Sequence, residues 1–426
     1  MPRLLPGRTS PWHRPDFRWL VTGATISALG NAMTPVALAF AVLELGGSAS
    51  ELGMVVAAFA AAEVVTLLYG GVLGDRLPRQ LLMQGSSAAT ALSQAVCAAV
   101  LVTGNGEIWM LMTIGLVNGC LGALSQPASA SLTRFTVTAV QLADAIVVRR
   151  LCQQVALVSG YAIAGMVVAA FGPGWAIAVD AASFAIAAAC YAMIRVAAPA
   201  PRSGSTLLAD LGEGAREVLR HSWLALLIGQ ALVYHLFYGG VQGVLGPIVV
   251  SEEWNEAAWG WALAALMSGF ILGGLVSLRW RPTHLVRVGV VMLSLTAAFP
   301  LTMAATDQLW LLLLGAAVHG FGLEIFDVNW ELAIQQNVAE DKLARVFSFD
   351  MVGSFVCRPL GLALTGPIAA VTGNGEWILV VAAVMAGSSL LSLGAPRCGG
   401  CGGSRSSSPR PVSWSPVDLA AGPAPA

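Results

Sequence analysis

Long apolar runs, cut at near-regular intervals by Gly, Pro or charge, dominate the chain, and twelve of them approach the length of about twenty residues that a bilayer core requires. They fall at roughly 17–43, 52–74, 80–103, 107–126, 145–171, 174–195, 223–250, 257–278, 285–305, 308–330, 345–371 and 376–394. The runs show no alternation of period two, and an open strand in lipid would leave backbone groups unpaired, so each run predicts a helix. A polar stretch at 197–221 leaves six spans on either side. The segment 274–281 between spans eight and nine keeps a Gly and basic residues, echoing 71–80 between spans two and three. The predicted fold is an all-α integral membrane protein of twelve transmembrane helices in two pseudo-symmetric six-helix halves.

The expected organisation is a leader at 1–16, a first half at 17–196, a linker at 197–221, a second half at 222–394 and a tail at 395–426. The leader reads as a cytoplasmic segment and not a removed signal peptide, because it runs into a long span without a small-residue cleavage site. Within the linker, Leu207, Leu208, Leu211, Val218 and Leu219 can share one helical face, predicting an amphipathic helix on the inner membrane surface. The tail is rich in Gly, Ser and Pro and is expected to be disordered.

Charge fixes the expected orientation. Arg3, Arg8, Arg14 and Arg18 precede span one, and Arg76, Arg79, Arg134, Arg149, Arg150, Arg195, Arg202, Arg216, Arg220, Arg279, Arg281, Arg287, Lys342 and Arg345 flank segments on the same side. The opposite loops carry acids instead, Glu51, Glu107, Glu252, Glu253, Glu256, Asp307 and Glu376. The positive-inside rule then places both termini in the cytoplasm, with the bacterial inner membrane as the expected location.

Composition excludes a soluble globule, since 57% of the 426 residues are hydrophobic and 11% are charged. The seven cysteines mostly sit inside apolar runs, and Cys398 and Cys401 supply only two of the four ligands zinc usually takes. No metal or other cofactor is expected. The sequence contains no GxxxxGK[ST], HExxH or GxSxG pattern, which argues against an ATP-driven pump or an enzyme. The charge distribution gives no reason to expect a nucleic-acid partner.

Gly71, Leu73, Asp75, Arg76 and Arg79 agree with the loop Gly-x-Leu-Ala-Asp-Arg-x-Gly-Arg-Lys that marks the major facilitator superfamily between spans two and three, with Gly74, Pro78 and Gln80 departing from it. The segments 122–128, 142–145, 180–184, 335–338, 345–348 and 359–361 resemble the drug-exporter branch that includes macrolide-efflux and siderophore-export proteins. Two family features are missing or partial. Gly115 stands where span four often carries Arg, and Tyr161 stands where the antiporter-associated pattern of span five has Pro.

The resemblance implies a monomeric secondary transporter that alternates its access and exports a hydrophobic or amphipathic small molecule against protons. Uptake of a small metabolite, or a non-transporting receptor or scaffold, are the alternatives. It makes Gly71, Gly74, Asp75, Arg76 and Arg79 the conformational-switch motif. Charges inside a bilayer cost about 2.5 to 3.5 kcal/mol on insertion scales, so Glu63, Arg358, Glu324 and Asp327 are candidates for buried charge or proton coupling. The family places spans two and eleven side by side, which suggests a Glu63–Arg358 pair. Glu324 and Asp327, three residues apart on span ten, share a helix face on which a proton can be held. The spans expected to surround the cavity contribute Asn31, Asn118, Tyr234, His235, Tyr238 and His319 as substrate contacts. Asp180 and Asp350 are expected near the inner ends of spans six and eleven in structural roles.

Overall fold

The computed structural model describes residues 10–74, 79–138, 141–195, 207–280, 282, 284–338 and 343–393. Among them there is no strand. The helices are α1 (Pro15–Glu44), α2 (Ala49–Gly74), α3 (Arg79–Val102), α4 (Ile108–Thr136), α5 (Leu142–Phe171), α6 (Pro173–Ala192), α7 (Leu207–Arg220), α8 (Ser222–Gly240), α9 (Gly246–Glu253), α10 (Glu256–Arg279), α11 (Leu285–Ser294), α12 (Ala298–Ala305), α13 (Leu309–Asn337), α14 (Leu343–Phe355), α15 (Arg358–Thr372) and α16 (Asn374–Ser392). Eleven spans are long and apolar enough to cross a membrane, and α4, apolar over Ile108–Leu124, makes the twelfth. Three of the spans are composite: α8 continues through a π-helical stretch into α9, α11 through a 3-10 turn into α12, and α14 through a short turn into α15.

Each of these interruptions contains or borders the residue four positions before a proline. A proline ring clashes with that residue's carbonyl and supplies no N–H to it. Pro247 acts on Gly243 within the π stretch Val241–Leu245, Pro300 on Thr296 within Leu295–Ala297, and Pro359 on Phe355, where α14 stops. Pro35 in α1 and Pro367 in α15 are absorbed without a break, so proline permits an interruption and the neighbouring helices decide it.

Helices approach closely where glycine lets backbone meet backbone, as membrane packing without a hydrophobic drive between helices requires. A Cβ on Gly269 of α10 would collide with the Ala317 carbonyl of α13, and one on Gly320 of α13 with the Leu266 carbonyl of α10. The two halves meet in the same manner. Gly366 of α15 lies against the Ser50 backbone of α2, and Gly260 of α10 against Gly165 and the Tyr161 carbonyl of α5. These contacts lie toward the end of the bundle where α1 finishes and α2 begins, and there one hydrophobic core runs through both halves from Phe40 and Leu52 to Val244, Trp259 and Leu362. At the other end of the first half, Leu20, Leu82, Met83, Leu132 and Tyr191 form a separate cluster of that half's own residues. Gln80, which replaces a basic residue of the switch motif, donates its side-chain amide to the Tyr191 and Ile194 carbonyls there, tying α3 to the end of α6.

The helix α7 packs on α14 and α8, burying Val218 while Leu219 stays 75% exposed. The two residues therefore do not share one buried face. Adjacent positions differ by about 100° around a helix, and the bundle claims only one of them.

Asp180 departs from its expected position. It is the eighth residue of α6, nearer the end shared with Phe171 than the end of Ala192, and it is fully buried. Its carboxylate accepts from the Thr34 hydroxyl of α1 at 2.7 Å and from the Gln94 amide of α3 at 2.7 Å, while the Ser183 hydroxyl lies at 3.4 Å. Gly30 of α1 leaves the room for this, since a Cβ there would strike the Asp180 and Ser183 side chains. Three helices thus share one polar knot in an apolar setting. Asp180→Ala should strand the Thr34 and Gln94 donors, at about 1–3 kcal/mol for each group left unsatisfied. The thermal midpoint of the purified protein should fall clearly for Asp180→Ala and less for Asp180→Asn, which keeps an acceptor. Equal midpoints for wild type and the Ala variant would contradict the tie.

Candidate functional site

The second half builds a compact aromatic and imidazole cluster between α8, α12 and α13. Tyr234 and Tyr238 stand one turn apart on α8 with ring centroids 5.3 Å apart. The Tyr234 hydroxyl and His319 Nε2 are hydrogen-bonded at 2.9 Å, and the Tyr238 ring lies 4.5 Å from the imidazole. Phe299 of α12 meets His319 edge-on at 6.1 Å. His319 has no exposed surface and Tyr238 is 4% exposed, so among the expected cavity residues these pack as a core. The Tyr238 hydroxyl is buried without a hydrogen-bond partner among the described residues. His235 meets the Tyr234 ring edge-on at 5.2 Å, its Nδ1 lies 2.9 Å from the Ala231 carbonyl, and its ring is 4.4 Å from that of Phe355 at the end of α14.

Arg358 opens α15 just after the break in span eleven. Its side chain is half-buried and runs along α8, with Cγ 3.3 Å from where a Cβ on Gly239 would stand. Its helix packs on α8 of the second half and on α2 of the first, which places it between the halves. The sequence suggested Glu63 as its partner. Glu63 instead lies on the α2 face where α4 comes close, Gly119 packing near its backbone, and among the described residues no ion pair joins it to Arg358 in this conformation. Spans two and eleven do pack together, but through Gly53, Ser50, Leu362 and Gly366 near one end.

The carboxylates of α13 take separate positions. Glu324 lies across the glycine pair Gly273–Gly274 of α10, its Oε1 3.4 Å from where a Cβ on Gly274 would stand. Those glycines belong to the segment that echoes the switch loop, and here they give a side chain room against the neighbouring helix. The helix α10 packs on α5 as well as on α13, so the surroundings of Glu324 join both halves. Asp327 is exposed. An ionised group cannot sit against lipid tails, so an exposed carboxylate on that face marks an aqueous space. Asp350 accepts from the Trp330 indole at 3.0 Å and joins α14 to α13.

Asn31 is exposed on α1 one turn before Pro35, and Asn118 is buried on α4 with Oδ1 lacking a partner among the described residues. Both stand on helices other than those of the Tyr234–His319 cluster. Of the switch motif, Gly71 and Gly74 lie in the last turn of α2 and Arg79 begins α3, while Asp75 and Arg76 lie outside the described residues, as do Cys398 and Cys401. No group of three or more His, Cys, Asp or Glu side chains able to hold a metal ion occurs among the described residues. In the sequence Arg150 counted only toward orientation, and Tyr161 only as a departure from a family pattern, because neither residue type points to a site until the neighbouring helix is known.

Residues 7–320 match the family described as transmembrane secretion effector. The chain is 21% identical over 376 residues to macrolide efflux protein A of Streptococcus pyogenes, covering 85% of this chain and 92% of that protein. It is 25% identical over 370 residues to the multidrug efflux pump Tap of Mycolicibacterium fortuitum, covering 83% and 89% of the two chains. Its fold is similar to the crystal structure of the nucleoside transporter NupG, with a TM-score of 0.71 at 14% identity over 89% of this chain and 97% of that one. The profile match spans most of the chain, and the chain belongs to the transmembrane secretion effector family of major facilitator transporters.

Proposed function

We propose that the chain is a secondary active exporter of the bacterial inner membrane, with both termini cytoplasmic, that moves an amphipathic small molecule outward in exchange for protons. The names of two relatives, a macrolide efflux protein and a multidrug efflux pump, support the direction. The basic residues gathered at the end where α1 begins support the orientation. In that orientation the contacts between the halves close the outer end, and the exposed Asp327 opens on the cytoplasmic side.

The observation that carries the coupling reading is the setting of Glu324: a carboxylate held on Gly273–Gly274 of α10, the helix that packs on α5 of the other half, where Arg150 stands. Charged, Glu324 draws Arg150 and closes the inner ends of α5, α10 and α13 on one another. Protonated, it loses that attraction, and the inner ends separate. A proton taken up from outside therefore favours the inward-facing state, and its release into the cytoplasm favours the return. Asp327 and Glu331 stand about one and two turns further along the same helix. Binding energy for substrate and proton must differ between the two states for exchange to be coupled.

Glu324→Gln keeps the shape and removes the titratable proton. In inverted membrane vesicles, uptake of a fluorescent amphiphile driven by an imposed pH gradient should fall about tenfold or more in this variant, while gradient-free exchange of the dye persists. An unchanged response to the gradient would place coupling at another carboxylate, with Glu63 next to be tested.

A further inference from the structure

Contacts on three sides fix how α8 is turned. Ile228, Gly239 and Gly240 meet Gly353, the Arg358 stem and Thr365 of α14 and α15; Gln230 and Phe237 meet Ser389 and Trp377 of α16; Tyr234 meets His319 of α13. At about 100° per residue, His235 falls between the side of Tyr234 and Tyr238 and the side of Ile228 and Gly239, so it points at the seam between α13 and α14, away from α16. Asp327, reckoned the same way, falls between the His319 side of α13 and the Gly320 and Glu324 side that meets α10, and it is exposed. Both residues therefore stand on the face of the α8–α13 pair turned away from α11, α12 and α16, and water reaches that face. His235 is half-buried there, and its tautomer is set. A carbonyl oxygen only accepts, so the 2.9 Å contact with Ala231 requires the proton on Nδ1, and the neutral ring keeps its lone pair on Nε2. Among the described residues nothing donates to that nitrogen. The Phe355 ring, 40% exposed as a residue, lies 4.4 Å from the imidazole, so an acceptor and an apolar surface open side by side.

We propose that His235 Nε2 and the Phe355 ring form a substrate subsite that takes a hydroxyl or N–H donor, with the apolar body of the molecule lying on Phe355. This inference rests on the export reading above and narrows it to amphipathic molecules that carry such a donor. An ether, ester or carboxylate oxygen brings only lone pairs to Nε2, and a partly desolvated acceptor left unpaired rejects the analogue that lacks the donor. The place is also suited to transport. His235 and Phe355 belong to spans seven and eleven, and the outer part of span eleven, α15, packs on α2 of the opposite half, so the position of the first half bears on how closely the two rings stand.

The phenolic bisbenzimide dye and its O-ethyl ether are both fluorescent and differ only at that oxygen. Their binding to the purified full chain in neutral detergent can be followed by fluorescence anisotropy at about pH 7.5, where an ordinary imidazole is neutral and a phenol keeps its proton. After correction for partition into empty micelles, wild type should hold the phenol about three- to tenfold more tightly than the ether. His235→Phe should bring that ratio to about one, and His235→Gln, which keeps an acceptor near the Nε2 position, should restore part of it. Phe355→Ala should weaken both dyes several-fold and leave their ratio in place. Should His235→Phe not purify intact, His235→Leu and the wild-type ratio decide. Equal binding of the two dyes by wild type, or a preference that the His235 variants leave unchanged, would overturn the subsite. Uptake into inverted vesicles separates this failure from that of the export reading. Equal uptake of both dyes by wild type and His235→Phe overturns the subsite and leaves export standing, whereas uptake of neither dye, with the binding preference intact, counts against export and leaves His235 as a binding residue.

Discussion

A polar group inside a bilayer has no water to turn to, and this constraint orders the whole structure. Backbone groups are paired within helices, and the helices then pack through glycine at points where one backbone lies on another, as Gly269 and Gly320 do between α10 and α13. Side chains follow the same rule. Asp180 is met by donors from α1 and α3, Asp350 by the Trp330 indole, and Gln80 reaches carbonyls at the end of α6.

Such ties separate scaffold from machinery. The Asp180 knot ties α1, α3 and α6 within one half, so it stays fixed while the halves move. The Tyr234–His319 hydrogen bond does the same within the second half, giving α8 and α13 a common frame. Arg358 and Glu324 differ because the helices that carry or face them, α15 and α10, pack on α2 and α5 of the opposite half. Charge placed across such a boundary changes its energy when the halves rock, which is the condition for a ligand or a proton to bias the equilibrium between states.

The spans were legible in the sequence because a bilayer demands long apolar runs. The helix over 207–220 was also legible, from its amphipathic period. The breaks in spans seven, nine and eleven were harder. Pro247, Pro300 and Pro359 signal them, but Pro35 and Pro367 give the same signal without a break. The site was legible only by residue type. The sequence offered Glu63 and Arg358 as partners because both are charged and deep, whereas contact depends on which helix face each occupies and where the spans touch. Asp180 hid its role for a similar reason: its donors, Thr34 and Gln94, are 146 and 86 residues away in the chain and unremarkable alone.

The central claim is that the proton on Glu324 sets which side of the protein is open. Spin labels on Ser48 and Val371, exposed positions of opposite halves beside the closed outer end, would report this as a distance distribution by double electron–electron resonance in a background without other cysteines. The account predicts a short outer distance in acidic buffer, a growing population of longer distances as the buffer is made alkaline, and in Glu324→Gln a distribution that no longer changes with pH. A wild-type distribution that does not change with pH, or a Gln variant that responds as wild type does, would contradict it.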